Sequence, residues 1–438
     1  MGRRRIRTPL NILLNNRLVG RLTKEASGAI SFTYDTGWLD WEHTLPVSLS
    51  LPLSDERYTG AKVAAVFENL LPDSDDIRRY VAERVGATGT DAFSLLAAIG
   101  RDCVGALQFL PDELFDDSLL GMAGSIAGES VSDGEIAGIL KNLGRAPLGL
   151  SSEDAFRISM AGAQEKTALL HHDGQWLKPI GTTPTTHILK PQIGHLPNGI
   201  DLTNSVENEF YCLKLLEGFG LKVANTEIID FEDQRTLVIE RFDRQWTRDG
   251  RLLRLPQEDF CQALSVPPTL KYQNQGGPSI VQILDLLRGS DEPDIDRLTV
   301  FKAQIVFWLI GATDGHAKNF SIFLGPGNTY RLTPLYDVLT AQPSLERRQI
   351  ERKQMKLAMS VGTSNHYSIE EIQPRHFMQT AEIAGLPKPM IAQAFDEVID
   401  TANTALSHVE AALSAEFPIA IHDSVYGALT KRLRILKG

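Results

Sequence analysis

The chain has 438 residues, of which 42% are hydrophobic and 23% are charged, and its formal net charge is −11. This composition is typical of a folded globular protein of two or three domains, and it excludes a disordered or fibrous chain. The acidic balance disfavours nucleic acid as the primary partner, and no apolar run reaches the roughly 20 residues that span a membrane.

Residues 1–111 are predicted to form a small α/β domain. The sequence NILLNNRLVGRL places two apolar runs on either side of an Asn-Asn pair, which predicts a β-hairpin because asparagine tolerates the left-handed backbone of a tight turn. The alternating segment AISFTYD predicts a further strand. Two helices are expected from KVAAVFENLL and DSDDIRRYVAERVG, the second with Asp73 or Ser74 as its cap and Gly86 as its end.

The rest of the chain is predicted to form a linker and two lobes. Residues 112–152 are rich in glycine, serine and acidic groups and read as a linker with one short helix, where Ser132 and Glu135 have capping-box spacing. Residues 153–250 carry four strand patterns, AFRISM, EKTALLH, THILK and TLVIERF, and the helix NSVENEFYCLKLLEGFG. Helical patterns dominate residues 251–438, so a β-rich lobe is followed by a mostly helical one.

The amino terminus and the cysteines favour a cytoplasmic protein. The charged start MGRRRIRTPL is followed by no apolar segment of a secretory signal. Cys103, Cys212 and Cys261 lie far apart, which argues against a disulfide framework and against a cysteine-based metal site. Basic clusters occur in RRRIR, ERRQIERKQMK and KRLRILK, but such runs are more often solvated faces than nucleic-acid contacts.

The segment GATDGHAKNF, which follows the apolar run IVFWLI, holds the first candidate reaction centre. Asp314 and Asn319 have the spacing D-x-x-x-x-N of phosphoryl-transfer loops. There the aspartate accepts the proton of the acceptor hydroxyl, and the asparagine oxygen binds a metal ion. Aspartate and asparagine are also common in ordinary turns, so this spacing alone is more often a surface loop.

Asp337 and Lys190 strengthen the catalytic interpretation. Asp337 ends YRLTPLYD, eighteen residues after Asn319, and a hairpin between them would bring the two side chains together. Two protein oxygens plus nucleotide phosphates suit Mg²⁺, although a strand-end turn is the structural alternative for Asp337. Lys190 closes the strand THILK and could contact phosphates, or could simply be exposed. Either Glu207 or Glu209 could pair with Lys190, and Glu209 is preferred.

The segment SMAGAQEKT, between two predicted strands, is a candidate phosphate loop. It does not match the P-loop pattern, because Glu165 stands where that pattern has glycine. Gly162 and its small neighbours would let backbone N–H groups approach a phosphate, with Lys166 adding positive charge. These elements occur in the chain order of a two-lobed kinase. LVIERFDR then falls where the lobes join, so the backbone of residues 240–242 is a candidate adenine contact.

The chain resembles the HipA toxin kinases, the serine/threonine-kinase halves of HipBA toxin–antitoxin modules. The resemblance covers essentially the whole chain and rests on LSLPL, FENLLPDS, IGRDCVGALQF, FRISMAGAQEKTALL, GTTPTTHILK, NEFYCL, ERFDR, RLPQEDFCQ, GATDGHAKNFSIF, YRLTPLYDV and PRHF. It implies an α+β, two-lobed protein-kinase-like fold. A small α/β subdomain would precede a β-rich amino-terminal lobe, and the carboxy-terminal lobe would be all-α.

The resemblance also implies roles for individual residues. Asp314 would be the catalytic base, Asn319 and Asp337 would hold Mg²⁺, and Lys190 would contact the phosphates of ATP. Ser159 matches the serine that family members autophosphorylate, which ejects the phosphate loop and stops the kinase. The other implied nucleotide-pocket residues are Ala161, Gly162, Ala163, Gln164, Glu165, Lys166, Glu240, Arg241, Phe242, Gly315, His316 and Tyr336.

As a member of this family the protein would be a Mg-ATP-dependent toxin kinase that phosphorylates an aminoacyl-tRNA synthetase, with the glutamyl enzyme favoured. Its partner would be a HipB-like helix-turn-helix antitoxin, and the complex would repress its own operon. The family's DNA-contacting stretch corresponds here to SVGTSNHYSIEEIQPRHF, which has no lysine or arginine before Arg375, so operator DNA is expected to bind mainly through the antitoxin. The alternative is a catalytically silent, nucleotide-binding co-repressor. The presence of every catalytic residue type favours the kinase.

Overall fold

The computed structural model describes residues 9–115, 123–150, 158–162 and 164–438. The first part is an antiparallel sheet, in the order β4-β3-β2-β1-β5, covered by helices. Its elements are β1 (Leu10–Leu14), β2 (Arg17–Lys24), β3 (Ile30–Tyr34), α1 (Thr36–Leu39), β4 (Tyr58–Thr59), α2 (Ala61–Glu68), α3 (Asp75–Val85), α4 (Ala92–Ile99) and β5 (Leu107–Pro111).

Local patterns predicted much of this part correctly. The β1–β2 hairpin turns at Asn15 and Asn16, whose φ angles of 47° and 64° are left-handed. Helix α3 begins at Ser74, whose side chain caps the helix, and ends at Gly86 with a φ of 66°. The predicted hairpin and helix are therefore confirmed, and for the reasons given: asparagine and glycine tolerate positive φ, and serine satisfies an unpaired helix N–H.

The second part is a six-stranded antiparallel sheet in the order β12-β13-β9-β7-β8-β6. Its elements, with the small strands beside it, are β6 (Gly128–Ser130), α5 (Asp133–Lys141), β7 (Thr167–His172), β8 (Gln175–Pro179), β9 (His187–Pro191), β10 (Gly194–His195), β11 (Asp201–Leu202), α6 (Ser205–Gly218), β12 (Thr226–Phe231), β13 (Gln234–Glu240), β14 (Arg244–Trp246) and β15 (Leu252–Arg254). Helices α5 and α6 cover opposite faces, because Val238 of β13 packs on the α5 side and its neighbours Leu237 and Ile239 on the α6 side.

Two expectations for this region need revision. The segment 112–152, expected to be a linker, includes β6 and α5, which belong to the sheet layer because Ile136 and Leu140 of α5 are buried against it. The capping box of Ser132 and Glu135 is present as predicted. Residues 158–160, the end of the segment predicted as the strand AFRISM, form no strand, and residues 155–157 lie outside the described part of the chain.

The third part is mostly helical and confirms the two-lobed α+β architecture. It comprises β16 (Gln257–Asp259), α7 (Phe260–Ala263), α8 (Ile280–Leu286), α9 (Pro293–Ile310), β17 (Ser321–Gly325), β18 (Thr329–Leu332), α10 (Gln342–Glu346), β19 (Lys356–Val361), β20 (His366–Ser368), α11 (Pro374–Ile383), α12 (Lys388–Ala412) and α13 (Ile419–Lys437). The lobe is not all-α as expected, since β16-β17-β18 form a small sheet and β19-β20 a hairpin.

One hydrophobic core joins the first and third parts. It includes Phe67 and Phe109 from the amino-terminal sheet layer together with Phe260, Trp308 and Phe377 from the helical lobe. Because these side chains share one core, the amino-terminal part is fixed against the lobe that carries the candidate catalytic loop. Among the helices that the structure describes, none has the length and apolar character needed to cross a bilayer.

Candidate active site

A cleft of about 830 Å³ lies between the six-stranded sheet and the helical lobe. It is lined by the candidate phosphate loop, the end of β9, the segment after β13, and the loops after α9 and β18. Asp314 and Asp337 therefore line the same cavity, as a catalytic site between two lobes requires. Of the predicted catalytic, metal-binding, nucleotide-binding and autophosphorylation residues, Ser159 and Gly315 do not line the cleft, and Ala163 lies outside the described residues.

The loop after α9 brings Asp314 and Asn319 to this cleft. The buried helix ends at Gly311, whose φ of 73° turns the chain out of the core. The side-chain amide of Asn319 donates to the backbone carbonyls of Asp314 (2.8 Å) and Asp337 (3.3 Å), so it ties the two loops together. Because both N–H bonds are used in this way, its Oδ1 is the atom that remains for a cation. The predicted hairpin, β17–β18, is what places Asp337 here.

Lys190 and Asp337 form an ion pair in the cleft, in which the Lys190 side chain is buried and the Asp337 side chain is one-third exposed. The Lys190 ammonium lies 2.7 Å from Oδ1 of Asp337 and 2.9 and 3.0 Å from the two oxygens of Glu209. Glu209 rather than Glu207 is thus the partner, since Glu207 pairs with Arg235 at 3.3 Å. Burial disfavours the charged forms of both Lys190 and Asp337, but the attraction between opposite charges outweighs it. The two carboxylates raise the pKa of Lys190, and Lys190 holds the pKa of Asp337 well below its usual range.

The backbone at Asp337 is strained. Its φ of 58° is left-handed, which costs a residue with a side chain about 1–3 kcal/mol and is found mainly at functional sites. The conformation turns the chain after β18 so that the backbone carbonyl of Asp337 meets Asn319 while its carboxylate meets Lys190. Asp337 therefore contacts both lobes, through Asn319 in the helical lobe and Lys190 in the sheet.

The candidate phosphate loop is folded around Lys166. The Lys166 ammonium donates to the Ala161 carbonyl at 2.9 Å, and burial lowers its pKa to about 8. Gly162 has a φ of 103°, a backbone conformation that residues with a side chain rarely adopt, so glycine is favoured at this position. The loop is fastened to the amino-terminal part, because the Asp73 N–H donates to the Gly162 carbonyl at 3.2 Å.

Ser159 anchors the same loop from inside the protein. Its side chain is completely buried, and its hydroxyl donates to the Leu70 carbonyl at 2.8 Å. Its N–H donates to the Asp102 carbonyl at 2.9 Å. The serine predicted as a phosphorylation site therefore lies against the amino-terminal part and outside the cleft, and its hydroxyl has to leave this position before it can accept a phosphate.

Hydrogen bonds within the protein already use two of the three backbone N–H groups of the candidate adenine segment, residues 240–242. The N–H of Glu240 donates to the Asn225 carbonyl at 3.0 Å, and that of Arg241 donates to the Thr186 carbonyl at 2.8 Å. Of the three N–H groups, that of Phe242 is left to meet a base. The guanidinium of Arg241 is buried and paired with Asp102 and Asp243, so its side chain fixes the position of the segment.

His316 and Tyr336 also line the cleft. The Nδ1 atom of His316 is buried and has no hydrogen-bond partner among the described residues, and burial lowers the pKa of this imidazole. The hydroxyl of Tyr336 donates to the Lys318 carbonyl at 2.8 Å and contacts Ser321 at 2.5 Å, so it braces the catalytic loop from behind.

Sequence reasoning missed a set of charged residues on the cleft wall. Asp73, from the amino-terminal part, lies 3.1 Å from the ammonium of Lys318 and 2.8 Å from that of Lys271. Burial by itself would raise the pKa of Asp73, but the two lysines lower it. Lys318 also donates to the Asn69 side chain at 2.9 Å. The motif FENLLPDS, which contains Asn69 and Asp73, marked this segment in the sequence, but it did not indicate that these two residues would pair with lysines of the cleft wall.

Of the three basic clusters, one lies outside the described residues and two lie in the helical lobe. RRRIR falls outside the described residues, and KRLRILK ends α13. In the segment ERRQIERKQMK, Arg352 and Lys353 are exposed on the surface after α10. Residues 360–377, for which the family resemblance implies DNA contact, run from β19 through β20 into α11, and their first lysine or arginine is Arg375.

Comparison with known proteins gives a consistent picture. Residues 10–110 match the HipA N-terminal domain, and residues 158–406 match the HipA-like C-terminal domain. "Putative kinase Y4mE" of Sinorhizobium fredii is 35% identical over 91% of both chains. "Serine/threonine-protein kinase toxin HipA" of Shewanella oneidensis is 26% identical over 91% of this chain and 89% of its own. The solved structure of Shewanella oneidensis HipA with HipB and operator DNA has the same fold, with a TM-score of 0.79 over 98% of this chain and 97% of its own, at 22% identity.

Proposed function

The chain belongs to the HipA family of serine/threonine kinases, and we propose that it is the toxin of a toxin–antitoxin module that transfers phosphate from ATP to a protein. The observation that carries the proposal is the convergence of Asp314, Asn319, Asp337 and Lys190 on one cleft, with Lys190 2.7 Å from Asp337. These residues come from both lobes, as the chemistry of a kinase requires.

In the proposed reaction Asp314 is the catalytic base. Its carboxylate is half-exposed at the cleft, where an acceptor hydroxyl can approach it. The hydroxyl oxygen attacks the γ-phosphorus of ATP, and the bond between this phosphorus and the oxygen that leaves with ADP breaks. The hydroxyl proton passes to Asp314. Lys190, kept cationic by its two carboxylates, orients the phosphates of ATP. Glu209 holds Lys190 from behind, so the lysine stays in place when a nucleotide competes for its charge.

A magnesium ion fits the oxygen atoms at Asn319 and Asp337. The depressed pKa of Asp337 keeps this carboxylate ionised, and the Oδ1 of Asn319 is not used by its own hydrogen bonds. Mg²⁺ binds in kinases through one or two such groups plus phosphates, and when bound it neutralises the charge of the transferring phosphate. The described residues contain no cluster of three acidic, histidine or cysteine ligands, and a Mg-ATP site needs none.

Autophosphorylation of Ser159 is proposed as the off-switch. A phosphorylated Ser159 has no hydroxyl proton to donate to the Leu70 carbonyl, and a dianionic phosphate cannot remain in a completely buried position next to a carbonyl oxygen. The loop would therefore leave its site, and Gly162 and Lys166 would no longer support the phosphates of ATP. This supports loop ejection, which the family resemblance implies.

The proposed partners follow from the family and from the charge of the chain. The solved relative from Shewanella oneidensis is in complex with HipB and operator DNA. By extension, a helix-turn-helix antitoxin would bind this protein, and because the chain is acidic overall, that antitoxin would make most contacts to operator DNA. The proposed target is a cytoplasmic aminoacyl-tRNA synthetase, with the glutamyl enzyme favoured, whose phosphorylation would inhibit translation.

The test is phosphate transfer by the purified chain. We expect γ-labelled ATP and Mg²⁺ to place label on Ser159 and on a serine or threonine of one synthetase among a panel of candidates. Asp314→Asn should abolish both labels while the thermal midpoint stays unchanged. ATP that binds but is never transferred, by the wild-type chain to itself or to any protein, would contradict the proposal and identify a silent co-repressor.

A further inference from the structure

A tyrosine outside the predicted site contacts the proposed catalytic base. The hydroxyl of Tyr272 donates a hydrogen bond to Oδ1 of Asp314, and its ring packs edge-on against His316 with ring centres 5.0 Å apart. Among the described residues no other group donates a hydrogen bond to this carboxylate, because the His316 Nε2 atom is 4.0 Å away. Tyr272 is therefore what fixes the orientation of a side chain that is otherwise half-exposed.

The loop that carries Tyr272 is anchored on both sides of it. The preceding residue, Lys271, lies 2.8 Å from Asp73 of the amino-terminal part. The following residue, Gln273, donates to the Ser360 hydroxyl at 2.8 Å and accepts from the Ser360 N–H at 2.9 Å. Two anchors on different parts of the molecule leave the intervening residue little freedom to move.

The backbone of this loop also closes on itself. The N–H of Gly277 donates to the Tyr272 carbonyl at 3.0 Å, and a Cβ at Gly277 would lie only 2.0 Å from the Leu270 carbonyl oxygen. Such an approach requires glycine. The local sequence is thus specialised to hold one conformation, and that conformation presents the tyrosine hydroxyl to Asp314.

We infer that Tyr272 is a positioning residue for phosphoryl transfer, which holds Oδ1 of Asp314 so that Oδ2 faces the acceptor hydroxyl. The inference rests on the proposed function. Burial and the nearby Asp314 carboxylate raise the pKa of Tyr272, so its hydroxyl remains a proton donor at any working pH. Small misplacements of a catalytic group cost much of the rate, because reaction needs close and aligned contact of the reacting atoms.

The expected effect of removing this hydroxyl lies in kcat. A hydrogen bond to a charged group corresponds to about a tenfold to hundredfold change in an equilibrium or rate. Because each chain carries one Ser159, kcat and KM for this reaction mean the maximal single-turnover rate at saturating ATP and the ATP concentration that gives half of that rate. In Tyr272→Phe we therefore expect this kcat to fall by about that factor, while the KM for ATP stays within about twofold. The two parameters separate because Tyr272 touches the base and not the proposed phosphate contacts.

Tyr330→Phe is the matched control. Tyr330 is partly buried like Tyr272 and donates to a protein oxygen at 2.6 Å, but that oxygen is the Leu286 carbonyl and not a carboxylate of the proposed catalytic machinery. Removing its hydroxyl should leave kcat unchanged. Gln273→Ala keeps the Tyr272 hydroxyl but releases the loop from Ser360, so an intermediate loss of kcat is expected. Thermal midpoints of all variants establish that the fold is intact.

The outcomes separate clearly. A lower kcat in Tyr272→Phe, with unchanged KM and with an unaffected control, supports the inference. An unchanged kcat overturns it, and an increased kcat also overturns it by showing that the hydroxyl blocks the acceptor position. If the wild-type chain transfers no phosphate, the proposed function fails and the inference fails with it. If the wild type is active and Tyr272→Phe is equally active, only the inference fails.

Discussion

The most demanding test of the structure is the substitution Asp102→Asn. Asp102 is buried, and its Oδ1 accepts from Arg244 at 2.8 Å and from Arg254 at 3.0 Å. Its Oδ2 accepts from Arg241 at 3.2 Å and from the Thr185 hydroxyl at 2.7 Å. Burial by itself would raise the pKa of Asp102, but the three arginines hold it well below its usual range.

The size of the effect can be estimated from these contacts. Replacing the Asp102 carboxylate by a neutral amide leaves Asp243 as the remaining carboxylate in contact with this arginine cluster. The substitution also places the N–H₂ group of the new asparagine against N–H groups of the arginines, so that donor faces donor. Breaking a buried ion pair costs about 3–5 kcal/mol. An unfolding entropy of about 2.1 cal/mol/K per residue gives about 0.9 kcal/mol/K for 438 residues. The expected decrease in Tm is therefore about 3–5 °C.

Calorimetry at pH 7 is the appropriate assay, with Asp249→Asn as the control. Asp249 pairs with Arg251 at 2.8 Å but is largely exposed, so its loss should leave Tm almost unchanged. A shift in Asp102→Asn as small as that of the control would refute the reasoning. The difference from wild type should also shrink in acid. Because the pKa of Asp102 is lower in the folded than in the unfolded state, its ionised carboxylate stabilises the folded protein at pH values above the unfolded-state pKa of about 4. This contribution is lost as the pH falls toward the folded-state pKa.

Three further predictions concern single side chains. Asp337→Asn should lower phosphate transfer by at least about 10²-fold, because the charge that would hold Mg²⁺ is lost; a fully active variant would exclude the metal role. Ser159→Ala should keep kinase activity constant over time because the chain cannot switch itself off, and loss of activity at the wild-type rate would contradict this. Glu258 is buried and its pKa is raised from 4.5 to about 8, so wild-type stability should fall as the pH rises through this range. Glu258→Gln, which resembles the protonated acid, should match the wild-type Tm at pH 5 and exceed it at pH 9; equal values at both would contradict the assignment.

Features determined by neighbouring residues could be predicted from the sequence. The hairpin at Asn15 and the helix from Ser74 to Gly86 depend on turn and cap preferences that a short window contains. The approach of Asp337 to Asn319 was predictable for a related reason, since one antiparallel hairpin connects them. The particular roles of these residues in catalysis remain predictions.

Other features depend on contacts between distant segments, which no local pattern records. Asp102 and Arg254 are 152 positions apart, and Lys190 and Asp337 are 147 apart. Tyr272 reaches Asp314 across 42 positions because the loop is anchored elsewhere. The family motifs identified some of these segments, but a motif without coordinates does not show which charges pair. The helix α5 was expected within a linker because it is short and its partner strands follow it in the chain.

The distant contacts share one consequence, which is that the amino-terminal part holds segments of the candidate active site in place. Leu70 and Asp73 hold the phosphate loop through Ser159 and Gly162, and Asp102 holds the segment that would meet adenine. Asp73 also balances two lysines on the cleft wall. If residues 1–111 were removed, Lys318 would lose Asp73 and the three arginines would lose Asp102, although Arg241 and Arg244 would still pair with Asp243. The kinase lobes therefore cannot be treated as an independent catalytic unit: the amino-terminal part is needed both to pair these charges and to hold the loop through which the enzyme is proposed to switch itself off.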